Sequence, residues 1–331
     1  MTVNNKEALR GLWTSCALAA TLLLSQTAAA QTNTVVRVST TYGDFSIELY
    51  GDAAPQNVQN FLNYVNRGAY AGSYFHRLDT TSNNVLQGGG FTFQPWVGPI
   101  AIPADPPVPL EYNLPNVRGS IGVARTTDPN SATSQWYINL EDNTEGFGPT
   151  ATSAGYTVIG AVLGDGMNVV DAIAELETYD LGVTHSQFPL RNYPNEDAGN
   201  IVRPSNLVLM NAEVTHRYSE AVSVFEYQST LLFTSVSVNG GEEMYTLNLS
   251  LVPDPERIIF RLNTETMVPL QAAIEGMSTY STSDNLLRIP SVEVNDFGLI
   301  LTLSNVVLRL TDPATWEFTV ESYDGQLQAD M

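Results

Sequence analysis

Cysteine is almost missing from this chain, and lysine is as scarce. Cys16 is the one cysteine and Lys6 the one lysine among 331 residues, so the remaining full cations are arginines. A single thiol forms no internal disulfide, and with only three histidines it leaves no His/Cys cluster of the kind that holds zinc. No phosphate-binding loop, EF-hand loop or Gly-x-Ser-x-Gly turn occurs, so neither a cofactor nor a metal is expected. Positive charge is short as well: 14 lysines and arginines face 35 aspartates and glutamates, a net charge of −21. Such a chain repels nucleic-acid phosphate and anionic lipid, which removes nucleic acid as an expected partner. The acidity reads first as solubility and second as adaptation to a salty exterior. Long apolar runs are also lacking, since none reaches the roughly 18 residues of a membrane span.

Residues 1–30 are of a different kind. Lys6 and Arg10 precede a 13-residue, mostly apolar stretch from Leu12 to Leu24, and Ala28-Ala29-Ala30 supplies the small residues of a cleavage site. The pattern predicts a signal peptide cut after Ala30 and an exported chain, periplasmic or secreted, that does not insert in a membrane. An uncleaved anchor is the alternative. Cys16, preceded by Trp-Thr-Ser, does not look like a lipid-attachment site. Cleavage removes Lys6, Arg10 and Glu7, leaving 12 cations against 34 anions and a net charge of −22.

Beyond the leader, alternation dominates. Val36, Val38 and Thr40, then Phe45, Ile47 and Leu49, predict a hairpin over 34–50 turning at Tyr42-Gly43-Asp44. A helix follows, with Asp52 as N-cap, Pro55 in the first turn, Val58, Phe61, Leu62 and Val65 on one face, and Gly68 at the C-terminal cap. Short strands are expected at 73–78, 84–88, 119–124, 134–140 and 156–163. A second helix is expected near Met167 to Leu176, then a polar loop at 178–204 and a strand near Leu207 to Val214. From about Thr215 helical periodicity nearly vanishes. A weak repeat of roughly 55 residues links YQSTLLFTSVSVN from Tyr227 to YSTSDNLLRIPSVEVN from Tyr280. It predicts two related β-meanders in one all-β domain, with Asn239-Gly240 as a hairpin turn.

Three segments then stand out: SYFHRL at 73–78, VLQGGGF at 85–91 and GVARTTDPNSATSQWYINL at 122–140. Together with GYTVIGAVLGDGMNVVDAI at 155–173, their order and spacing resemble the cyclophilin-type peptidyl-prolyl cis-trans isomerases over about residues 34–214. The resemblance implies a mainly β fold, a closed antiparallel barrel capped by two helices. The expected organisation is a signal peptide (1–30), a cyclophilin-like domain (31–215) and a separate all-β domain with a twofold repeat (216–331).

The implied reaction is rotation about X–Pro peptide bonds in proline-containing polypeptides. That rotation breaks amide resonance over a barrier of about 18–20 kcal/mol and takes tens of seconds unaided. A catalyst needs a pocket for the ring, a grip on the chain and a donor at the prolyl nitrogen, which turns pyramidal and basic. An arginine, always charged and carrying five fixed donors, suits the last task. By resemblance the arginine is Arg77, and Gln87 holds the substrate backbone. Ala124, Arg125 and Gln135 line the groove, and Tyr137 walls the proline pocket. Tyr156 falls where many members carry histidine, and its hydroxyl can meet a backbone carbonyl. His76 is expected to be structural, not a general base.

The chain departs from the family between arginine and glutamine. RLDTTSNNVLQ is two residues longer than usual and holds no aromatic. Counting back from Gln87, Val85 takes one pocket position and Asn84 the place of the phenylalanine that floors the pocket. A further wall falls to Phe147, or by strict count to Glu145. A thinner pocket leaves a second reading open, a peptide-binding module with weak or no turnover. The C-terminal domain carries no ionic cluster or cofactor motif. A spacer or partner surface is the expectation there, with carbohydrate binding as a lesser one and the partner unspecified.

Overall fold

The computed structural model describes residues 34–194, 201–296 and 299–326. The expected signal peptide therefore lies outside the described residues. The described residues form one compact unit. Within it are two large sheets.

The first sheet has eleven strands. In spatial order they are Arg77–Asp79, Val85–Gly88, Trp136–Asn139, Ser120–Val123, Val158–Val162, Gly43–Leu49, Val35–Thr40, Leu209–Thr215, Ser73–Tyr74, Phe91–Gln94 and Gly98–Ala101. The segment 73–79 joins the two ends of the barrel. Ser73 and Tyr74 pair with Met210 and Leu209, while Arg77 to Asp79 pair with Gln87 to Val85. Between them the Phe75 amide donates to the Val208 carbonyl and the His76 amide to that of Gln87. The closure is thus one bent strand. Alternation then sorts the side chains: Leu78, Leu86, Ile138 and Ile121, level on four strands, are buried in the core with Phe61, Tyr70, Phe75 and Trp136.

The helices are Pro55–Asn66, the single turn Thr144–Phe147, and Gly166–Ala174. Asp52 does not cap the first; Ala54 holds the N-cap position with no side-chain bond. Glu111, brought from a distant loop, accepts instead from the Gln56 and Asn57 amides at 3.0–3.2 Å. A carboxylate there satisfies amides the helix cannot and meets the positive end of its dipole. Gly68, at φ 68°, follows the helix end as expected.

Two features escaped sequence reading. In the hairpin Phe91–Gln94/Gly98–Ala101, Pro95, Gly98 and Pro99 suggest loop, but an edge strand tolerates proline. The ribbon Thr178–Tyr179/Phe188–Pro189 lies in the expected polar loop and is too short to alternate.

The second sheet closes on itself. Leu231–Val238, Glu243–Val252, Ile259–Leu262, Glu317–Gln326, Leu299–Asp312, Leu286–Asp296 and Ser278–Ser281 pair in turn, and the last returns to the first. The hairpin registers give a pseudo-twofold in which Tyr280 corresponds to Phe225, not to Tyr227 as the sequence alignment has it. Phe225↔Leu232 in one half corresponds to Tyr280↔Leu287 in the other, and the halves cross-pair as Phe225↔Val294 and Val238↔Tyr280. Asn239 and Gly240, at φ 46° and 81°, make the expected hairpin turn.

This barrel rests on the outer face of Val35–Thr40, all six of whose residues are buried. Arg37 pairs with Asp44 at 2.6 Å and lies over the Phe233 ring. Thr246 donates to Asp44, Asn248 to Glu213, and the Gln271 amide to the Thr41 carbonyl.

Candidate active site

The outward-facing residues one place along from the core row build the site. Strand register sets Arg77 opposite Gln87, Gln87 opposite Tyr137, and Tyr137 opposite Gly122. Residues 10, 50 and 15 positions apart are therefore level on adjacent strands, their side chains on one face. Arg77, Gln87 and Tyr137 border a cavity of about 410 Å³. Val85, Ala124, Arg125, Gln135, Phe147 and Tyr156 line the same cavity, so these residues and Arg77, Gln87 and Tyr137 come to one place.

One end is aromatic. Tyr137 meets Phe147 edge-on with ring centroids 5.4 Å apart, Phe147 lies 4.9 Å from Tyr156, and Tyr156 lies 6.3 Å from Tyr137. Tyr137 donates its hydroxyl to Asn116 at 2.9 Å, and Asn116 donates to the Tyr156 carbonyl at 3.2 Å. Burial, and next the neighbouring Tyr156, push the Tyr137 hydroxyl well above its usual range, so it stays neutral. Arg125 stacks 4.3 Å over Tyr156 and donates to the Gly155 carbonyl at 2.8 and 3.0 Å. It braces that wall and has little left to offer a ligand.

The other end is polar. Gln87 accepts from Arg77 Nη1 at 3.4 Å and donates to Gln135 at 2.8 Å. Arg77 Nη2 also pairs with Asp79 at 2.7 Å, and Nε donates to Gln187 at 3.1 Å. His76 is 3% exposed, and burial, then His185, push it down to about 3. It is neutral near pH 7 and packs edge-on against Phe91. Gly89, at φ 74°, turns the chain where a β-carbon would run into the Ser134 carbonyl and the Trp136 ring. That crowding accounts for one glycine of QGGG.

One expectation is corrected. Asn84 does not stand in for a pocket phenylalanine. It sits at φ 48° and its carbonyl accepts from the Leu140 amide and the Asn143 side chain. Asn83 borders the cavity instead, and Phe147, not the exposed Glu145, supplies the wall. Sequence reasoning missed Asn116, Asp79 and Gln187, along with Val183, Thr184 and Ser186 at the rim. For Asp79 a signal existed: a carboxylate two residues from the arginine in a stretch otherwise free of charge. Gln187 and its rim neighbours carried none, being anonymous polar-loop residues.

Residues 35–194 match the family model "Cyclophilin type peptidyl-prolyl cis-trans isomerase/CLD". The peptidyl-prolyl cis-trans isomerase of Acinetobacter baylyi is 40% identical over 168 residues, covering 51% of this chain and 85% of that protein. Peptidyl-prolyl cis-trans isomerase A of Dickeya dadantii is 37% identical over 170 residues, covering 51% and 82%. Peptidyl-prolyl cis-trans isomerase B of Escherichia coli is 38% identical over 159 residues, covering 47% and 92%. The family match contains the row Arg77, Gln87, Tyr137, and with these relatives it shows that the chain belongs to the cyclophilin-type peptidyl-prolyl cis-trans isomerases.

Proposed function

We propose that this protein accelerates rotation about X–Pro bonds in extended segments of exported polypeptides, with Arg77 donating to the prolyl nitrogen. The proline ring enters between Tyr137, Phe147, Tyr156 and Val85, whose faces offer apolar area to an apolar ring. Gln87 and Gln135 hold the chain through side-chain amides, and Ala124 and Arg125 border its path. As the amide twists, the nitrogen gains basicity, and a donor aimed at it is stronger for the twisted state than for the planar one. Such preferential binding is what raises turnover. Four decades of acceleration require about 5–6 kcal/mol of it. Action outside the cytoplasm rests on the leader-like pattern of residues 1–30 and on a chain without cysteine beyond it.

The observation that carries the reading is the register placing Arg77, Gln87 and Tyr137 level beside an aromatic-walled cavity. NMR exchange spectroscopy on an Ala-Pro peptide tests it. Arg77→Ala is expected to lower kcat/KM by about 10²–10³, the cost of removing one electrostatic donor. Equal rates for variant and wild type would remove Arg77 from the mechanism.

A further inference from the structure

The segment between Arg77 and Gln87 is longer than the family pattern and contains a carboxylate the reaction does not call for. Asp79 is 1% exposed at its side chain. Its Oδ1 accepts from the Thr81 amide at 3.1 Å, the Thr81 hydroxyl at 3.2 Å and the Ser82 amide at 2.9 Å. Its Oδ2 accepts from the Ser82 hydroxyl, the Asn83 side-chain Nδ2 and Arg77 Nη2, each at 2.7 Å. The loop 79–84 therefore knots itself around one carboxylate whose remaining face is turned to the catalytic candidate. A buried carboxylate needs a partner charge, and Arg77 is the cation present. Burial alone would raise this carboxyl, but the bonds from Ser82, Asn83 and Thr81 outweigh it and hold it well below the usual range. The charge thus persists at any working pH.

The guanidinium is held from two further sides. Nε donates to Gln187, whose carbonyl in turn accepts from the Leu78 amide at 2.8 Å, and Nη1 donates to Gln87. Guanidinium has five N–H groups. Three are engaged on three different atoms, which fixes the plane. One N–H on each Nη is left.

We infer that Asp79 and Gln187 are positioning residues, a clamp that orients the Arg77 guanidinium so that its remaining N–H groups face the substrate. The inference rests on the assignment of Arg77 to the prolyl nitrogen. The longer loop is then the clamp's housing, and it compensates by orientation for the aromatic floor the segment does not supply. An arginine already fixed loses less freedom on engaging the twisted amide.

A double-mutant cycle on the full chain tests this, with Ala-Pro exchange rates and peptide affinity measured separately. Asp79→Asn keeps size and an Oδ1 acceptor for Thr81 and the Ser82 amide, but loses the charge and the acceptor facing Arg77. It is expected to lower kcat/KM by about ten- to hundredfold, the range for a misplaced catalytic group, with peptide Kd little changed. Gln187→Ala, outside the loop, should act in the same direction. In an Arg77→Ala background neither change should matter further. An equal loss in that background, or no loss beside an impaired Arg77→Ala, overturns the clamp. A second readout separates this from the mechanism itself. Rotation about the Arg77 Nε–Cζ bond, followed by ¹⁵N NMR, should be slow in wild type and fast in Asp79→Asn. Fast rotation in wild type sinks the clamp whatever the activities are. An unimpaired Arg77→Ala with slow rotation sinks the assignment of Arg77 and, with it, any catalytic purpose for the clamp.

Discussion

Gly122 and Tyr137 face each other on neighbouring strands, and the tyrosine ring occupies the space a β-carbon on the glycine would need. The ring lies flat across the strand because the strand has no side chain there. That flatness, with the bond to Asn116, sets the back of the cavity. Gly122→Ala is expected to push the ring into the cavity. Overpacking of this kind costs about 1–3 kcal/mol. Peptide Kd should rise severalfold while kcat falls less, because a wall contact acts on both states of the substrate. Exchange kinetics beside thermal unfolding check both effects. An unchanged Kd would mean that the ring is not a pocket wall.

Counting along the sequence suggests that Asn84→Phe should restore an aromatic floor and raise activity. The backbone argues otherwise. At φ 48° asparagine is tolerated, but a phenylalanine pays the left-handed cost of about 1–2 kcal/mol. The side chain would also start from a turn whose carbonyl is tied to Leu140 and Asn143. The expected outcome is lower stability and no gain in kcat/KM. Asn84→Gly, free of that strain, should leave activity near wild type. A faster Asn84→Phe enzyme would show that the loop can reach the pocket.

How much of this was legible beforehand depended on the range of the signal. Alternation in Val36–Val38 and Phe45–Leu49 is local, and the hairpin followed it. SYFHRL, QGGG and SQWYIN named their residues through resemblance, and all reached one cavity. What could not be read was register, because the row Arg77, Gln87, Tyr137 and Gly122 is a property of pairing between distant strands. The Asn84 assignment failed for a related reason: counting residues assumes a regular strand, and a carboxylate-centred turn at Asp79 consumes residues without advancing it. The C-terminal repeat gave two meanders but not their interleaving. There Phe225 packs edge-on against Phe260 at 5.5 Å and Tyr280 against Phe318 at 6.0 Å, while Phe260 and Phe318 are themselves paired.

His76 gives a pH prediction for both activity and stability. Its folded value is lowered from 6.5 to about 3 by burial. Activity should therefore show no inflection from this histidine between pH 5 and 8, against what a general base would give. For stability, the unfolded chain takes up a proton below about 6.5 that the folded one refuses until about 3. Stability should rise with pH across that window and be lost as pH falls through it. His76→Gln should flatten that slope between pH 6 and 4 in denaturant titrations. An unaltered slope would assign it to other groups.

Glu226 gives the opposite sign, in the other barrel. Its side chain is buried, and burial raises its carboxyl despite the bond it accepts from Asn295 at 2.9 Å. A raised carboxyl favours the folded state below the unfolded value, and that contribution disappears as pH rises through the folded one. Once ionised, this carboxylate is a buried charge held at a cost. The corresponding position of the other hairpin carries no charge: Glu226 pairs with Leu231 as the half-buried Ser281 pairs with Leu286. Glu226→Gln keeps an acceptor for Asn295 and removes the charge. It should raise Tm by a few degrees at pH 7–8 and by nothing near pH 4, where the carboxyl is protonated anyway. Prolyl-isomerase rates should not move, since the residue lies in the barrel that does not hold the site. A variant that unfolds earlier at pH 8 would mean that the ionised carboxylate is a needed partner inside the barrel, most directly for the His216 backbone amide that bonds to it.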